Sequence, residues 1–396
     1  MEPIVIAGGC YFEACEAPYW RALYGSGGRA AQALIGRGPV TLHTYFPRAR
    51  KGELYPFVAA GIDIRAADSA SALAFAYFHP LSDPVLAPLR SDIPRLPAIR
   101  AEGDAVLRFG FLEGEAIVCG RRVVYDPQSV GEFEPFGRNG SSAQELAVVL
   151  NAHELRAASG QDDLDAAARS LLESGAEVVV AKSGVQGAFV HTRGRSSAWV
   201  PAFWSDSVFK IGTGDVFSAA FTYAWAHLGR DPVEAAHAAS RSVSQYAASR
   251  LLPLPPAWDG PAQGRAIGAR SGGLVHLVGS TARLADRWLC EEAAWRIQQL
   301  GVRVRRLNDL SGGLPADGAF LVFADQIEPV ALDELARRVS AGRVVVISET
   351  DAASPEGVLR TGDFTTALYW VCWISSTESA ADASGGPPER NAERRG

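Results

Sequence analysis

The stretch Lys210-Ile211-Gly212-Thr213-Gly214-Asp215-Val216-Phe217-Ser218 constrains this chain more than any other. Behind its two glycines, Phe217, Phe221, Ala224, Trp225 and Leu228 recur at helical spacing, so a helix is expected to begin at Thr213 or Gly214. The first amides of a helix have no intrahelical partner, and the aligned peptide dipoles add partial positive charge there. Glycine lets an anion approach closely because it has no Cβ and tolerates unusual φ values. The turn therefore reads as an anion site. Asp215 has two readings. It is an N-terminal charge that favours the dipole, or it is a general base that takes the proton of a substrate hydroxyl. In the second case the amides of Gly212, Thr213, Gly214 and Asp215 and the ammonium of Lys210 hold the charge on a transferred phosphoryl group.

At 396 residues the chain exceeds what one core usually covers, so two domains are expected. Strand-like runs alternate with alanine-rich helical runs from residue 1 to about 250, the pattern of a parallel sheet with helices on its faces. Val40 to Phe46 and Phe75 to Leu81 are expected to supply a lid or edge sheet. Leu252-Pro253-Leu254-Pro255-Pro256 stops the last helix, and 253–273 reads as a linker. A second α/β unit covers 274–374, and the Ser, Ala, Gly, Pro, Glu and Arg of 375–396 read as a disordered tail.

A net charge of −6 argues against a nucleic-acid binder. No apolar run approaches the roughly 20 residues of a membrane span, and no basic segment with a secretory core opens the chain. A cytoplasmic protein without a membrane partner is expected. The five cysteines, at 10, 15, 119, 290 and 372, are scattered and odd in number, which fits reduced thiols.

Gly212-Thr213-Gly214-Asp215-Val216-Phe217 resembles the Gly-Ala-Gly-Asp-x-Phe signature of the ribokinase-like (PfkB) sugar and nucleoside kinases. Other parts of the same pattern lie upstream in family order. Ile4 to Gly9 is a short apolar strand stopped by glycines, and Glu13 stands near the family's acidic residue that binds substrate hydroxyls. Gly25-Ser26-Gly27-Gly28-Arg29-Ala30-Ala31-Gln32 resembles the Gly-Gly substrate loop, with Gln32 where the family usually has asparagine; alone, the run also reads as a flexible turn. Asn151-Ala152-His153-Glu154, after the apolar Leu146 to Leu150, resembles the Asn-x-x-Glu motif that positions magnesium and phosphate, Glu154 acting through water. Asn151 reads equally as a helix cap. Glu177 to Ala188 resembles the segment beside the nucleotide, which puts Lys182, Gly184 and Gly187 at the cofactor. Only Lys51, Lys182 and Lys210 are lysines among 38 basic residues, and two of the three fall in these motifs. The resemblance implies a ribokinase-like three-layer sandwich with a small lid, ATP and Mg2+ as cofactors, and a homo-oligomer paired through the lid.

In the second unit, Leu274 to Ser280, Val302 to Val304, Ala319 to Phe323 and Val344 to Ile347 read as strands, and Leu284 to Leu300 and Leu332 to Gly342 as helices. This smaller Rossmann- or flavodoxin-like unit resembles the nucleoside 2-deoxyribosyltransferases, whose helix glutamate attacks the anomeric carbon. On that register Glu334 is the nucleophile, and Asp317 and Asp325 are candidates for contacting the sugar or base. Glu334 also reads as an exposed helix residue pairing with Arg337 or Arg338. Thr365 to Ile374 reads as a closing helix against the second core.

Two functions follow. One is an ATP-dependent kinase acting on a sugar, nucleoside or related polyol, fused to a unit that binds or cleaves a nucleoside-like compound. The other is a ligand sensor or assembly component that keeps both folds for binding.

Overall fold

The computed structural model describes residues 2–128, 133–256, 264–268, 272–307, 310, 312–350 and 355–376. Of the expected tail, 377–396 lie outside the described residues, as does much of the expected linker.

Strands of three to eleven residues build the N-terminal domain. Nine of them form one sheet in the order Ala198–Val200, Ala188–Thr192, Val178–Lys182, Ser142–Asn151, Ala116–Asp126, Ile99–Phe109, Ile4–Ala7, Val40–Pro47 and Ile62–Ser69. Neighbours are parallel except the two pairs involving Ala188–Thr192. Alternate side chains enter separate cores: Ile4 and Ile6 pack on one face, Val5 and Ala7 on the other. Both faces are covered at the middle of the sheet, where Ile4–Ala7 and Val178–Lys182 carry continuous apolar runs, whereas the edge strand Ile62–Ser69 exposes Asp63 and Arg65 between buried and half-buried isoleucines. Helices Gly25–Ala33, Thr213–Phe221 and Pro232–Ser249 contribute to the first core, and Ala152–Ser159 and Leu164–Glu173 to the second. The result is a three-layer α/β sandwich.

A second sheet of four strands, Trp20–Leu23, Phe12–Cys15, Ala74–Tyr77 and Val85–Ala87, carries Glu13. Ala74–Tyr77 lies in this lid as expected. Val40–Pro47 does not: it pairs with Ile4–Ala7 inside the main sheet, where Leu42 and Phe46 are buried.

The C-terminal domain is a five-stranded parallel sheet in the order Arg303–Leu307, Leu274–Val278, Ala319–Phe323, Val344–Ile347 and Leu359–Thr361. Counted from its own first strand, this is the flavodoxin-like order 2-1-3-4-5. Helices Leu284–Gln299, Pro329–Arg338 and Phe364–Ser376 accompany it. Asp317 and Asp325 stand beyond opposite ends of Ala319–Phe323, so they do not share one edge of the sheet.

Part of the expected linker is ordered against the first domain. Trp204 N donates to Arg265 O at 2.9 Å and Ile267 N to Ala202 O at 2.9 Å, and Ile267 is buried in the core that the C-terminal sheet and Phe364–Ser376 share with Val185 and Val208.

Candidate active site

The helix behind the glycine turn begins at Thr213, and Gly212 stands at its N-cap with φ +76° and no side-chain cap. The left-handed φ favours glycine, and so does space: a Cβ there would lie 2.0 Å from Arg29 Nε. The amide of Thr213 donates to Lys210 O at 3.2 Å, and Val216 N donates to Gly212 O at 3.1 Å. No protein acceptor is recorded for the intervening amides of Gly214 and Asp215 among the described residues, so they remain available to an anion.

Two cavities meet at this turn. Lys210 and Gly214 line both. The larger, about 430 Å³, also takes Glu13, Ser26, Tyr77, Gln128 and Asp215 into its wall and lies between lid and sheet. The smaller, about 100 Å³, is lined by Lys182, Thr213, Gly184 and Gly187 together with apolar side chains such as Phe203 and Val243.

Asp215 is buried, and both its oxygens are engaged. Arg29 Nη1 donates to Oδ2 at 2.9 Å, and Gln128 Nε2 donates to Oδ1 at 2.7 Å. Arg29 is fully buried and also forms a two-pronged pair with Glu13, while its Nε donates to Tyr246 Oη at 3.1 Å. Burial raises the pKa of Asp215, and Arg29 opposes that rise without cancelling it. The same contest leaves Glu13 above the usual carboxylate range. Gln128, at φ +47°, is one of two non-glycine residues with positive φ among the described residues. Such a conformation is strained for glutamine, and here it accompanies a bond to the candidate base.

On the other side, Lys182 Nζ pairs with Asp126 Oδ2 at 2.7 Å, and a Cβ on Gly214 would lie 3.6 Å from that ammonium. Burial disfavours the charge on Lys182, but Asp126, Glu154 and Asp215 together hold its pKa above the ordinary value. Asp126 also accepts from Ser218 Oγ at 2.6 Å. Lys210 donates to Thr213 Oγ1 at 2.8 Å and has no carboxylate within ion-pair distance among the described residues. Burial, then the charge of Lys182, push its pKa down to about 8.

The remaining candidates divide. Asn151 and Glu154 form a capping box: Asn151 Oδ1 accepts from Glu154 N at 2.8 Å, and Glu154 Oε2 accepts from Asn151 N at 2.8 Å. Oε1 of Glu154 has no recorded hydrogen bond and is a hard oxygen donor of the kind magnesium takes alongside water. Among the described residues no three acidic, histidine or cysteine side chains converge as a ready-made metal cage. Gly27 lets its helix meet the first strand, since a Cβ would lie 2.4 Å from Gly8 O, and Gly28 faces Phe57 and Cys10. Neither these two glycines nor Gln32 lines the larger cavity. Glu334 stands on the exposed side of Pro329–Arg338, 3.7 Å from Arg338, outside both cavities.

Arg29, Gln128, Ser26 and Arg108 escaped the sequence reading as site residues. Ser26 Oγ and Arg108 Nε are buried in the wall of the larger cavity without hydrogen-bond partners among the described residues. Arg29 had one available signal, its place directly after Gly27-Gly28. Ser26 shared that signal as part of Gly25-Ser26-Gly27-Gly28, whereas Gln128 and Arg108 become visible only through the fold.

The family model described as pfkB family carbohydrate kinase matches residues 143–252, which include the glycine turn. This part of the chain has a PfkB, ribokinase-like fold. Among solved structures, ribokinase from Thermotoga maritima is 16% identical over 64% of this chain and 97% of its own, with a TM-score of 0.46. Ribokinase of Arabidopsis thaliana complexed with ribose and ATP is 14% identical over 64% and 96%, at 0.48. A pyrophosphate-dependent kinase in the ribokinase family, complexed with a pyrophosphate analog and myo-inositol, is 14% identical over 64% and 97%, at 0.44. No protein of curated function matches the chain. Among the described residues no helix is long and apolar enough to cross a membrane.

Proposed function

We propose that the N-terminal domain transfers a phosphoryl group from ATP to a hydroxyl of a sugar, nucleoside or related polyol. One observation carries this reading: Gly214 and Lys210 line both cavities, with uncapped helix amides between them and Asp215 on the larger side. The larger cavity takes the acceptor and the smaller the donor. Glu13 and Ser26 bind acceptor hydroxyls. Asp215 receives the proton of the reacting hydroxyl, and the Gly214 and Asp215 amides with Lys210 hold the charge on the transferred group. Lys182 holds the donor's phosphates. Glu154 would hold magnesium through water, and bound magnesium would neutralise donor phosphate charge.

The test is ATP consumption over a panel of sugars and nucleosides. A true acceptor raises turnover in the wild type, and Asp215→Asn lowers that rate by about 10²–10⁴-fold. If no acceptor lifts wild-type turnover above the Asp215→Asn baseline, the reading fails.

The ion pair of Arg29 with both Glu13 and Asp215 favours a second reading, a fold that binds a polyol without turning it over. Calorimetric binding of an acceptor that never raises ATP consumption would select it. For the C-terminal domain, the glycosyl-transfer proposal rests on Glu334. Its exposure and its pairing with Arg338 support an ordinary surface role. Free base released from nucleosides by the wild type and lost in Glu334→Ala would reverse that conclusion.

A further inference from the structure

The helix Phe364–Ser376 is apolar on all sides, and a helix of that kind is buried on more than one face. One side packs in the core of the C-terminal sheet. The other carries Thr366, Tyr369, Trp370 and Trp373, spaced three, four and seven residues apart, which places them on one stripe.

That stripe grips the N-terminal domain at its donor side. Thr366 Oγ1 accepts from Val208 N at 2.9 Å, Trp370 Nε1 donates to Ser205 O at 2.9 Å, and Trp373 Nε1 donates to Val185 O at 3.2 Å. Trp204 stacks on Trp370 with centroids 5.9 Å apart and planes 12° apart. Val185 lies in the turn between Lys182 and Gly187, and Ser205 and Val208 lead into Lys210 and the glycine turn. Tyr369 and Trp373 themselves line the smaller cavity. Its wall holds Lys182, Lys210, Thr213 and Gly214 and, with the two aromatic rings, Phe203 and Val243. Tyr369 is buried, yet no hydrogen bond is recorded for its hydroxyl among the described residues. A cavity whose wall combines cationic and aromatic side chains with an unpartnered hydroxyl matches the mixed chemistry of a nucleotide, phosphate and base together.

Resting on the kinase reading, we propose that the C-terminal domain supplies part of the donor site: Tyr369 and Trp373 form the wall against which the base of a nucleotide donor lies. The donor site is then complete only when both domains are present.

The full-length chain is titrated with ADP and, separately, with inorganic pyrophosphate, which has no base to lie against the aromatic rings. Tyr369→Leu keeps apolar volume but removes the ring and hydroxyl; Trp373→Phe is the milder change that decides if the first variant does not fold. The proposal expects ADP affinity to fall about tenfold in either folded variant while pyrophosphate affinity stays within twofold of the wild type. Equal losses for both ligands would show that the helix merely holds the loops in place, and would overturn the wall. Unchanged or tighter ADP binding in the variants would overturn it too, because the rings would then be irrelevant or in the way. A wild type that binds pyrophosphate but not ADP overturns this proposal together with the ATP donor, and a wild type that binds neither overturns the kinase reading as well.

Discussion

Arg29 and Asp215 are ion-paired at 2.9 Å across 186 residues of sequence, inside a site where Arg29 has no exposed surface. The guanidinium neutralises two buried carboxylates at once, since Glu13 shares it. Removing such a cation leaves charges in low dielectric without a partner, which costs about 3–5 kcal/mol. Arg29→Met should lower stability by about that amount, measured as a shift of the denaturant midpoint. Adding Glu13→Gln should recover part of the loss, because fewer buried charges are then left alone.

The same pair sets the pH at which Asp215 can act. Burial raises the Asp215 pKa and Arg29 lowers it, with burial prevailing. On the kinase proposal Asp215 is the base, and a base works only when deprotonated, so the acid limb of turnover should lie above the range of an ordinary aspartate. Gln128→Glu replaces a donor 2.7 Å from Asp215 with a second carboxylate. That repulsion favours the protonated form, so the acid limb should move to higher pH. A pH–rate profile unchanged by the substitution would count against Asp215 as the base.

Gly212→Ala tests the geometry of the turn. A left-handed φ costs a non-glycine residue about 1–2 kcal/mol, and the new methyl would collide with Arg29. The expected outcome is loss of turnover of at least about 100-fold with a lower melting temperature, because both the uncapped amides and the Arg29 bridge move. Gly184→Ala is the control: φ is also left-handed there, but nothing lies within 4 Å of the added carbon, so it should strain the turn without displacing Arg29.

Lys210 should make anion binding depend on alkaline pH. Its free-state pKa, pushed down to about 8, means that it loses its proton as pH rises through that value. A bound phosphate favours the ammonium, so binding draws a proton back and affinity weakens above pH 8. ADP titrations from pH 7 to pH 9.5 should show this fall, and Lys210→Arg should flatten it because guanidinium keeps its charge. An equally steep fall in the arginine variant would remove Lys210 from the account.

Much of the architecture was legible because it rests on short-range chemistry. Ala319–Phe323 and Val344–Ile347 occur as read, and Leu284–Gln299 matches its reading to one residue, since continuous apolar runs and glycine stops are local signals. The helix start at Thr213 was equally local. Val40–Pro47 was misplaced because an apolar run does not say which sheet it joins; that depends on pairing with Ile4–Ala7. Leu359–Thr361 was missed because three half-buried residues make no periodic pattern.

By itself, then, the sequence determined two α/β units and a helix that starts behind a glycine turn with a carboxylate in its first turn, because glycine spacing, apolar runs and helix caps act over a few residues. Tertiary structure alone decided what surrounds that carboxylate. Arg29 and Gln128 reach Asp215 from 186 and 87 positions away, and Tyr369 and Trp373 enter the smaller cavity from the second domain. Such contacts follow from which strands neighbour one another and where a closing helix docks, and those are set by burial over the whole chain rather than by the residues beside them.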